Sequence, residues 1–74
     1  MDIRVKLFAM LRNNLGKEQI LSLDPPVKKS DILQALDLVP KDVAIFYVNG
    51  RTVPDDYEIR EDDTLSLFPP AGGG

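Results

Sequence analysis

One stretch of the chain has the apolar spacing of a helix long enough to cover a sheet, and it constrains the fold most strongly. It begins at Ser30-Asp31, where a hydroxyl can cap free backbone N–H groups and a carboxylate lies in the first turn. It ends before Pro40, which cannot continue a helix. One face of this stretch is apolar at helical spacing: Ile32, Leu33, Ala35, Leu36 and Val39. The sequence therefore predicts one main helix over 30–39, packed on a sheet.

The residues before this helix alternate between apolar and polar, which is typical of half-buried strands. The first predicted strand places Ile3, Val5 and Leu7 on one face and leaves Phe8 on the polar side. A short helix-tolerant segment, 9–15, ends at Gly16. A second strand is predicted over 19–23, with Leu21 and Leu23 facing inward, and the prolines that follow it cannot donate to a ladder.

The residues after the helix predict a hairpin and a last strand. The segment 43–48 is rich in β-branched and aromatic residues and runs into Asn49-Gly50, the strongest two-residue turn signal. A return strand is predicted over 51–53, and a last strand over 64–68. This order gives an α+β fold in which a mixed four- to five-stranded sheet carries one main helix across it. The first two strands are predicted to be antiparallel, and the helical crossover allows a parallel pair.

Composition excludes several classes of function. The chain has 74 residues, enough for one domain, and it contains no Cys and no His, so it cannot form a Cys-His nucleophile, a Ser-His-Asp triad or a His/Cys zinc site. A net charge of −3, with one adjacent basic pair at Lys28-Lys29, gives no footprint for nucleic acid. No apolar run approaches the ~20 residues that span a bilayer. We therefore expect a cytoplasmic protein with neither nucleic acid nor membrane as a partner.

Two groups of residues raise the question of a site. Six carboxylates lie close together before the last strand, but their spacing does not match a calcium loop, and a solvated loop face is predicted instead of a metal site: Asp55, Asp56, Glu58, Glu61, Asp62 and Asp63. The aromatic residues are too many for so small a core, and strand alternation requires either Phe46 or Tyr47 to face outward. An apolar sheet face left uncovered would mark a partner surface.

The most distinctive segment is the end of the sequence, where Phe68-Pro69-Pro70 is followed by Ala71 and then Gly72-Gly73-Gly74. Six residues from Pro69 reach at most about 20 Å when extended. A run of glycines has no Cβ atoms, so it can pass through a narrow channel. The reactive group that it would deliver is the α-carboxylate of Gly74. For three glycines on an arbitrary protein, a frayed terminus is the better interpretation. The body of the chain decides between these interpretations.

That body resembles the MoaD/ThiS family of ubiquitin-like, β-grasp sulfur carriers. The resemblance runs along the whole chain, and it implies a β-grasp domain over 1–70 and a flexible glycine tail over 71–74. The Phe-Pro-Pro is more similar to the small subunit of molybdopterin synthase (MoaD-like) than to the thiamine carrier. Where members often have Gly-Asp before the last strand, this chain has Asp62-Asp63. The quoted motifs are Phe8-Ala9, Leu15-Gly16, Val48-Asn49-Gly50-Arg51, Ser66-Leu67-Phe68-Pro69-Pro70 and Gly73-Gly74.

The resemblance implies a carrier that is not itself an enzyme and binds no cofactor. An E1-like adenylating enzyme (MoeB/ThiF type) would use ATP to adenylate the Gly74 carboxylate. A sulfurtransferase or cysteine desulfurase would supply persulfide sulfur, leaving a C-terminal thiocarboxylate. The acceptor would be a molybdopterin synthase large subunit (MoaE-like) or a thiazole synthase. The implied site comprises Gly74, the tail residues Gly73, Gly72, Pro70 and Pro69, and the docking residues Phe8 and Phe68.

One leading expectation and three alternatives to it remain open at this level. The leading expectation is sulfur donation in molybdopterin, that is molybdenum or tungsten cofactor, biosynthesis. A ThiS-like carrier for thiamine thiazole, or for another thiocarboxylate pathway, has the same chemistry with another acceptor. A ubiquitin-like modifier would join the Gly74 carboxyl to lysines of other proteins. A binding module with an inert tail would function fully without 72–74.

Overall fold

The computed structural model describes residues 1–71, in which four strands form one mixed sheet. The strands are β1 (Asp2–Leu7), β2 (Glu18–Ser22), β3 (Ile45–Val48) and β4 (Thr64–Phe68), in the order β2-β1-β4-β3. The pair β1/β2 is antiparallel, β1/β4 is parallel and β3/β4 is antiparallel. This confirms the predicted mixed sheet and places the parallel pair at its centre. The predicted domain over 1–70 and tail over 71–74 remain predictions, because Gly72–Gly74 lie outside the described residues.

The helices are short. A 3-10 turn (Ala9–Leu11) continues into α1 (Arg12–Leu15), as predicted, and α1 ends at Gly16, whose φ is 81°. The main helix, α2, spans only Lys29–Ala35. A second 3-10 turn, Pro40–Asp42, precedes β3 and was not predicted. None of the helices in residues 1–71 is long and apolar enough to span a bilayer.

The prediction that the main helix reaches Val39 is wrong. After α2, Asp37 adopts a left-handed φ of 59°, and the Leu38 N–H donates to the Leu33 carbonyl at 2.8 Å. This bond satisfies a terminal carbonyl of the helix and turns the chain away from its axis. Val39 is therefore 48% exposed instead of extending the apolar face, and Ala35 is exposed as well.

The start of the helix also differs from the prediction. Asp31 caps it, accepting a hydrogen bond from the Lys28 backbone N–H at 2.8 Å, and Ser30 makes no capping bond. Because Asp31 lies three residues after Lys28, its carboxylate reaches back to the first residue of the turn and also complements the helix dipole. The sequence therefore marked the correct region but the wrong capping residue.

The hairpin turn is confirmed, but the return strand is not. Asn49 and Gly50 both have positive φ, 53° and 82°, and Val48 and Arg51 exchange two backbone hydrogen bonds. Arg51 then forms only an isolated bridge with Val48, and residues 52–54 have no strand pairing. Pro54 lacks a backbone N–H, so a strand could not continue through it.

One face of the sheet packs against α2 to form the core. The central strands supply side chains with no exposed surface, and α2 adds Ile32, Leu33 and Leu36. Val27 and Ile59 close the core from two loops, and the Ile59 N–H donates to the Val27 carbonyl at 2.7 Å. The buried strand residues are Ile3, Val5, Leu7, Phe46, Val48, Leu65 and Leu67. Leu21 and Leu23 pack against this core, as predicted.

The acidic segment before β4 is not wholly solvated, so the predicted loop face is wrong at Asp63. Asp63 is 6% exposed and accepts hydrogen bonds from Asn49 Nδ2 and Tyr57 Oη at 2.8 Å, and from the Arg60 N–H at 2.9 Å. Burial alone would raise the pKa of Asp63, but these three donors outweigh it and hold the pKa below its usual value. The hydrogen bond between Tyr57 and Asp63 also raises the pKa of Tyr57. Asp63 therefore ties the hairpin turn to the loop before β4.

Candidate functional site

Within residues 1–71, no helix or strand covers the face of the sheet opposite α2, and an aromatic stack lies at one end of that face. Phe8 follows β1 and Phe68 ends β4, so the parallel pairing of these strands brings the two rings side by side. Their centroids are 4.3 Å apart with planes 11° from parallel, and Tyr47 meets Phe68 edge-on at 6.0 Å. All three side chains are only half-buried, and Ile45 beside them is 38% exposed. We call Phe8, Phe68, Tyr47 and Ile45 the aromatic patch.

This arrangement agrees with the strand pattern. Phe8 lies on the polar side of β1, as predicted, and Tyr47 is the residue of the 46–47 pair that faces outward while Phe46 is buried. The structure brings the two proposed docking residues, Phe8 and Phe68, into direct contact. An exposed aromatic stack of this kind loses little conformational entropy on binding and offers apolar area to a partner.

Arg12 is a member of the site that the sequence analysis missed. Its Nε donates to the Leu7 carbonyl at 2.7 Å, and its guanidinium carbon lies 5.2 Å from the centroid of the Phe8 ring. Phe8 thus stacks on Phe68 and also lies within the range of a cation–π contact with Arg12. The spacing of four residues between Phe8 and Arg12 across one short turn was the signal that could have indicated it.

The tail leaves the sheet from the aromatic patch. Phe68 is the last residue of β4, Pro69 is half-buried beside it, and Pro70 and Ala71 are exposed. Proline fixes φ near −65° and has no N–H, so two in succession end the pairing and set the direction of the exit. The proposed reactive residues Gly72, Gly73 and Gly74 lie outside the described residues.

The described side chains offer little chemistry of their own. Residues 1–71 contain no group of three or more His, Cys, Asp or Glu side chains placed to hold a metal ion. The one buried carboxylate among them, Asp63, has its oxygens committed to three donors. What this end of the molecule can do is bind, through an exposed apolar stack, and present the segment that follows Pro70.

Comparisons with known proteins show the family and the fold. A model of the ThiS family matches residues 5–74. The structure assigned as molybdopterin converting factor, subunit 1, from Pyrococcus furiosus is 26% identical, covers 95% of this chain and 98% of that chain, and has a TM-score of 0.79. SAMP1 of Haloferax volcanii shares the fold, at 24% identity, full coverage of both chains and a TM-score of 0.78.

A more distant structure shares the fold as well. The complex of subunits 1 and 2 of molybdopterin-converting factor from Helicobacter pylori matches at 16% identity, with 100% of both chains covered and a TM-score of 0.68. A search of curated protein sequences gives no significant match. These likenesses confirm a ubiquitin-like β-grasp fold built as a mixed four-stranded sheet with a short helix. Since the family model spans nearly the whole sequence, the chain belongs to the ThiS family.

Proposed function

We propose that this chain is a sulfur carrier whose Gly74 carboxylate is activated and converted to a thiocarboxylate. The observation that carries the proposal is the reach of the family match, which extends through the Phe-Pro-Pro exit to Gly74. The geometry supports the proposal, because the chain leaves β4 beside a half-exposed aromatic stack that a partner can bind. A partner that binds the aromatic patch would hold the start of the tail in place while Gly74 enters an active site of that partner.

In this mechanism the chain supplies only its own terminus as the reacting group. An E1-like adenylating enzyme brings the Gly74 carboxylate to the α-phosphate of ATP, pyrophosphate leaves, and an acyl-adenylate forms. The sulfur of a persulfide on a sulfurtransferase or cysteine desulfurase attacks the acyl carbon and displaces AMP. A thiol then cleaves the acyl disulfide reductively and leaves the thiocarboxylate. Each step uses groups of the partners, which fits a chain without Cys or His.

The acceptor that we favour is a molybdopterin synthase large subunit. Two similarities support this choice: the Pyrococcus furiosus subunit 1 structure, and the Helicobacter pylori complex in which subunit 1 is bound to subunit 2. The thiazole synthase of thiamine biosynthesis is the alternative acceptor within the same chemistry. Conjugation to protein lysines is a second alternative, and small archaeal modifier protein 1 has the same fold.

Reconstitution with separate acceptors tests the choice. The thiocarboxylated chain is mixed with a molybdopterin synthase large subunit and the pterin precursor, or with a thiazole synthase and its substrates, and sulfur incorporation is measured. We expect sulfur in the pterin product only. Sulfur in the thiazole product would assign the alternative pathway, and Gly-Gly remnants on lysines of cellular proteins would assign the modifier role. Full function of a chain lacking 72–74 would show that the tail is inert.

A further inference from the structure

The side chain of Asn49 replaces a backbone group at the point where the β3/β4 ladder ends. The antiparallel register pairs Val48 with Leu65, so Asn49 comes opposite Thr64. The Asn49 N–H donates to the Thr64 carbonyl at 2.8 Å, as in a regular ladder. The return bond, from the Thr64 N–H, goes to Asn49 Oδ1 at 2.9 Å. The amide oxygen therefore accepts the bond that a backbone carbonyl would accept in a continuing strand pair.

The nitrogen of the same amide faces a buried carboxylate. Asn49 Nδ2 donates to Asp63 Oδ1 at 2.8 Å, and Asp63 is 6% exposed. The two contacts require an amide at position 49, because one of its atoms must accept a hydrogen bond and the other must donate one. Aspartate would suit the turn itself, since Asp-Gly is also a hairpin dipeptide, but it would bring a second carboxylate against Asp63.

The residue that follows makes this amide chemically labile. Gly50 has no side chain to shield its backbone nitrogen, and nothing in residues 1–71 lies within 4 Å of the position that a Cβ would occupy. The Gly50 N–H donates no hydrogen bond to those residues, and both Asn49 and Gly50 are exposed to water. Asparagine is a thermolabile residue, and a free, unshielded nitrogen after it can attack its side-chain amide.

We propose that Asn49 is a site of deamidation, that its hydrogen bonds to Asp63 and Thr64 protect it, and that the reaction makes an opening of the turn permanent. Attack requires the Asn49 side chain to rotate its amide carbon toward the Gly50 nitrogen. In the closed turn the two hydrogen bonds hold both polar atoms of the amide in other directions. The reaction therefore proceeds from an open turn, in which both side-chain bonds are broken.

The reaction needs only water as a co-reactant. The Gly50 nitrogen attacks Cγ of Asn49, and the new N–Cγ bond closes a succinimide ring. The Cγ–Nδ2 bond breaks, and Nδ2 leaves as ammonia with the proton of the Gly50 N–H. Water then adds to one of the two ring carbonyls. Cleavage of the N–Cγ bond gives aspartate at position 49, and cleavage of the original peptide bond gives isoaspartate.

Neither product restores the original contacts. Aspartate places a carboxylate oxygen where Nδ2 lay, 2.8 Å from an oxygen of Asp63, and two carboxylates at this distance cannot both be ionised without strong repulsion. Isoaspartate adds a backbone carbon to a two-residue turn and changes its geometry. A molecule that has reacted is therefore less stable at the Thr64 end of β4 than one that has not.

The first test measures deamidation of the full chain at neutral pH by peptide mass spectrometry. Residue 49 of folded wild type should react about tenfold more slowly than in the chain unfolded in urea, because opening breaks two hydrogen bonds, one of them to a charged acceptor. Asp63→Ala should lose most of this protection while folded. The control is Leu33→Ala, which lowers stability from within the core and leaves both partners of Asn49 in place.

The two variants are compared at equal folded fractions, with urea added to the more stable one until they match. Leu33→Ala should then keep more protection of Asn49 than Asp63→Ala. Equal loss of protection would show that deamidation follows global unfolding and would overturn the local role of Asp63. Folded wild type that reacts as fast as the unfolded chain would overturn the proposal as a whole.

The second test makes the aspartate product by mutation. Asn49→Asp should raise the unfolding equilibrium constant about tenfold, since it replaces a donor to Asp63 by a like charge. Combining it with Asp63→Asn exchanges the amide and the carboxylate. The amide at 63 can then donate to position 49 and still accept from Tyr57 and Arg60, so the double variant should return to within about threefold of wild type. Full stability of Asn49→Asp, or no recovery in the double variant, would contradict the proposed clash with Asp63.

Discussion

The two ends of β4 differ in how completely their polar groups are satisfied. At the Thr64 end, Asn49 Oδ1 accepts the Thr64 N–H at 2.9 Å, and the Asp63 carboxylate accepts three further donors while it is almost fully buried. At the Phe68 end, aromatic rings stay half-exposed, and within residues 1–71 the Arg12 guanidinium makes a single hydrogen bond, to the Leu7 carbonyl. The two ends of β4 therefore differ: the polar groups at the Thr64 end have hydrogen-bond partners, and the Phe68 end offers apolar surface and donors.

The Thr64 end of β4 therefore contributes to the stability of the fold, and the Phe68 end is suited to binding a partner. A buried carboxylate with all its donors in place stabilises the turn and has nothing left to offer a ligand. Half-exposed rings and the remaining guanidinium N–H groups of Arg12 contribute little to folding but provide area and hydrogen bonds to a partner. Changes at the Asp63 end should therefore affect unfolding, and changes at the Phe68 end should affect binding and transfer.

The largest expected effect is on the tail. Deleting Gly74 moves the terminal carboxylate back by about 3.5 Å and should abolish adenylation, because in-line attack requires near-contact of the reacting atoms. ATP–pyrophosphate exchange with the adenylating enzyme measures this loss. The free energy of unfolding should stay within about 0.5 kcal/mol of wild type, since the described core ends at Leu67. Retained exchange would contradict the role of Gly74.

The next largest effect is expected at the Thr64 end of β4. Asp63→Ala should lower the free energy of unfolding by about 3 kcal/mol, because it leaves three donors without their charged acceptor. Urea unfolding measures the loss. The matched control is Asp62→Ala, one residue earlier and exposed, which should stay within about 0.5 kcal/mol. At temperatures where Asp63→Ala is folded, its affinity for the adenylating enzyme should be unchanged; a loss of affinity would break the separation of the two ends.

A smaller effect is expected at the aromatic patch. Phe8→Ala removes the ring that contacts both Phe68 and Arg12 and should weaken binding to the adenylating enzyme by about tenfold. Surface plasmon resonance can measure it. Ile20→Ala is the control, because Ile20 is 54% exposed on β2, on the same face but away from the tail. If both variants weaken binding equally, the contact is spread over the whole sheet.

The smallest effect is the pH dependence of the Asp63 contribution. The folded pKa of Asp63 lies below its usual value, so its contribution to stability is complete above the unfolded pKa of about 3.9 and is lost as pH falls through the folded pKa. The difference in unfolding free energy between wild type and Asp63→Asn should therefore be largest at neutral pH and shrink in acid. A constant difference down to the acid transition would show that Asp63 does not act through its charge.

The strands were predictable because their signals are local. Side chains alternate along β1 and β4 with a period of two, and Asn49-Gly50 has the backbone freedom that a tight hairpin requires. Phe8 lay on the polar side of that alternation, so its exposure followed from the same pattern. The contact between Phe8 and Phe68 depends on the parallel pairing of β1 and β4, which lie far apart in sequence. The helical crossover allowed a parallel pair, but residue spacing could not show which two strands form it.

The errors arose where individual hydrogen bonds and contacts decide between options that the residue pattern leaves open. Asp37 can adopt a left-handed φ, and the Leu38–Leu33 hydrogen bond ends the helix before Val39 although the apolar spacing continues. Asp63 was grouped with solvated neighbours, since nothing in a run of carboxylates shows which one meets buried donors. Arg12 was missed because its importance comes from the ring above which it lies, four residues earlier.

The most direct test of the carrier function is the intact mass of the chain after co-expression with the adenylating enzyme and a persulfide source. We predict that one oxygen at Gly74 is replaced by sulfur, that fragmentation locates the change in the last residue, and that the species is absent when Gly74 is deleted. A chain that keeps its carboxylate unchanged while the enzyme consumes ATP on a control carrier would contradict the proposed function.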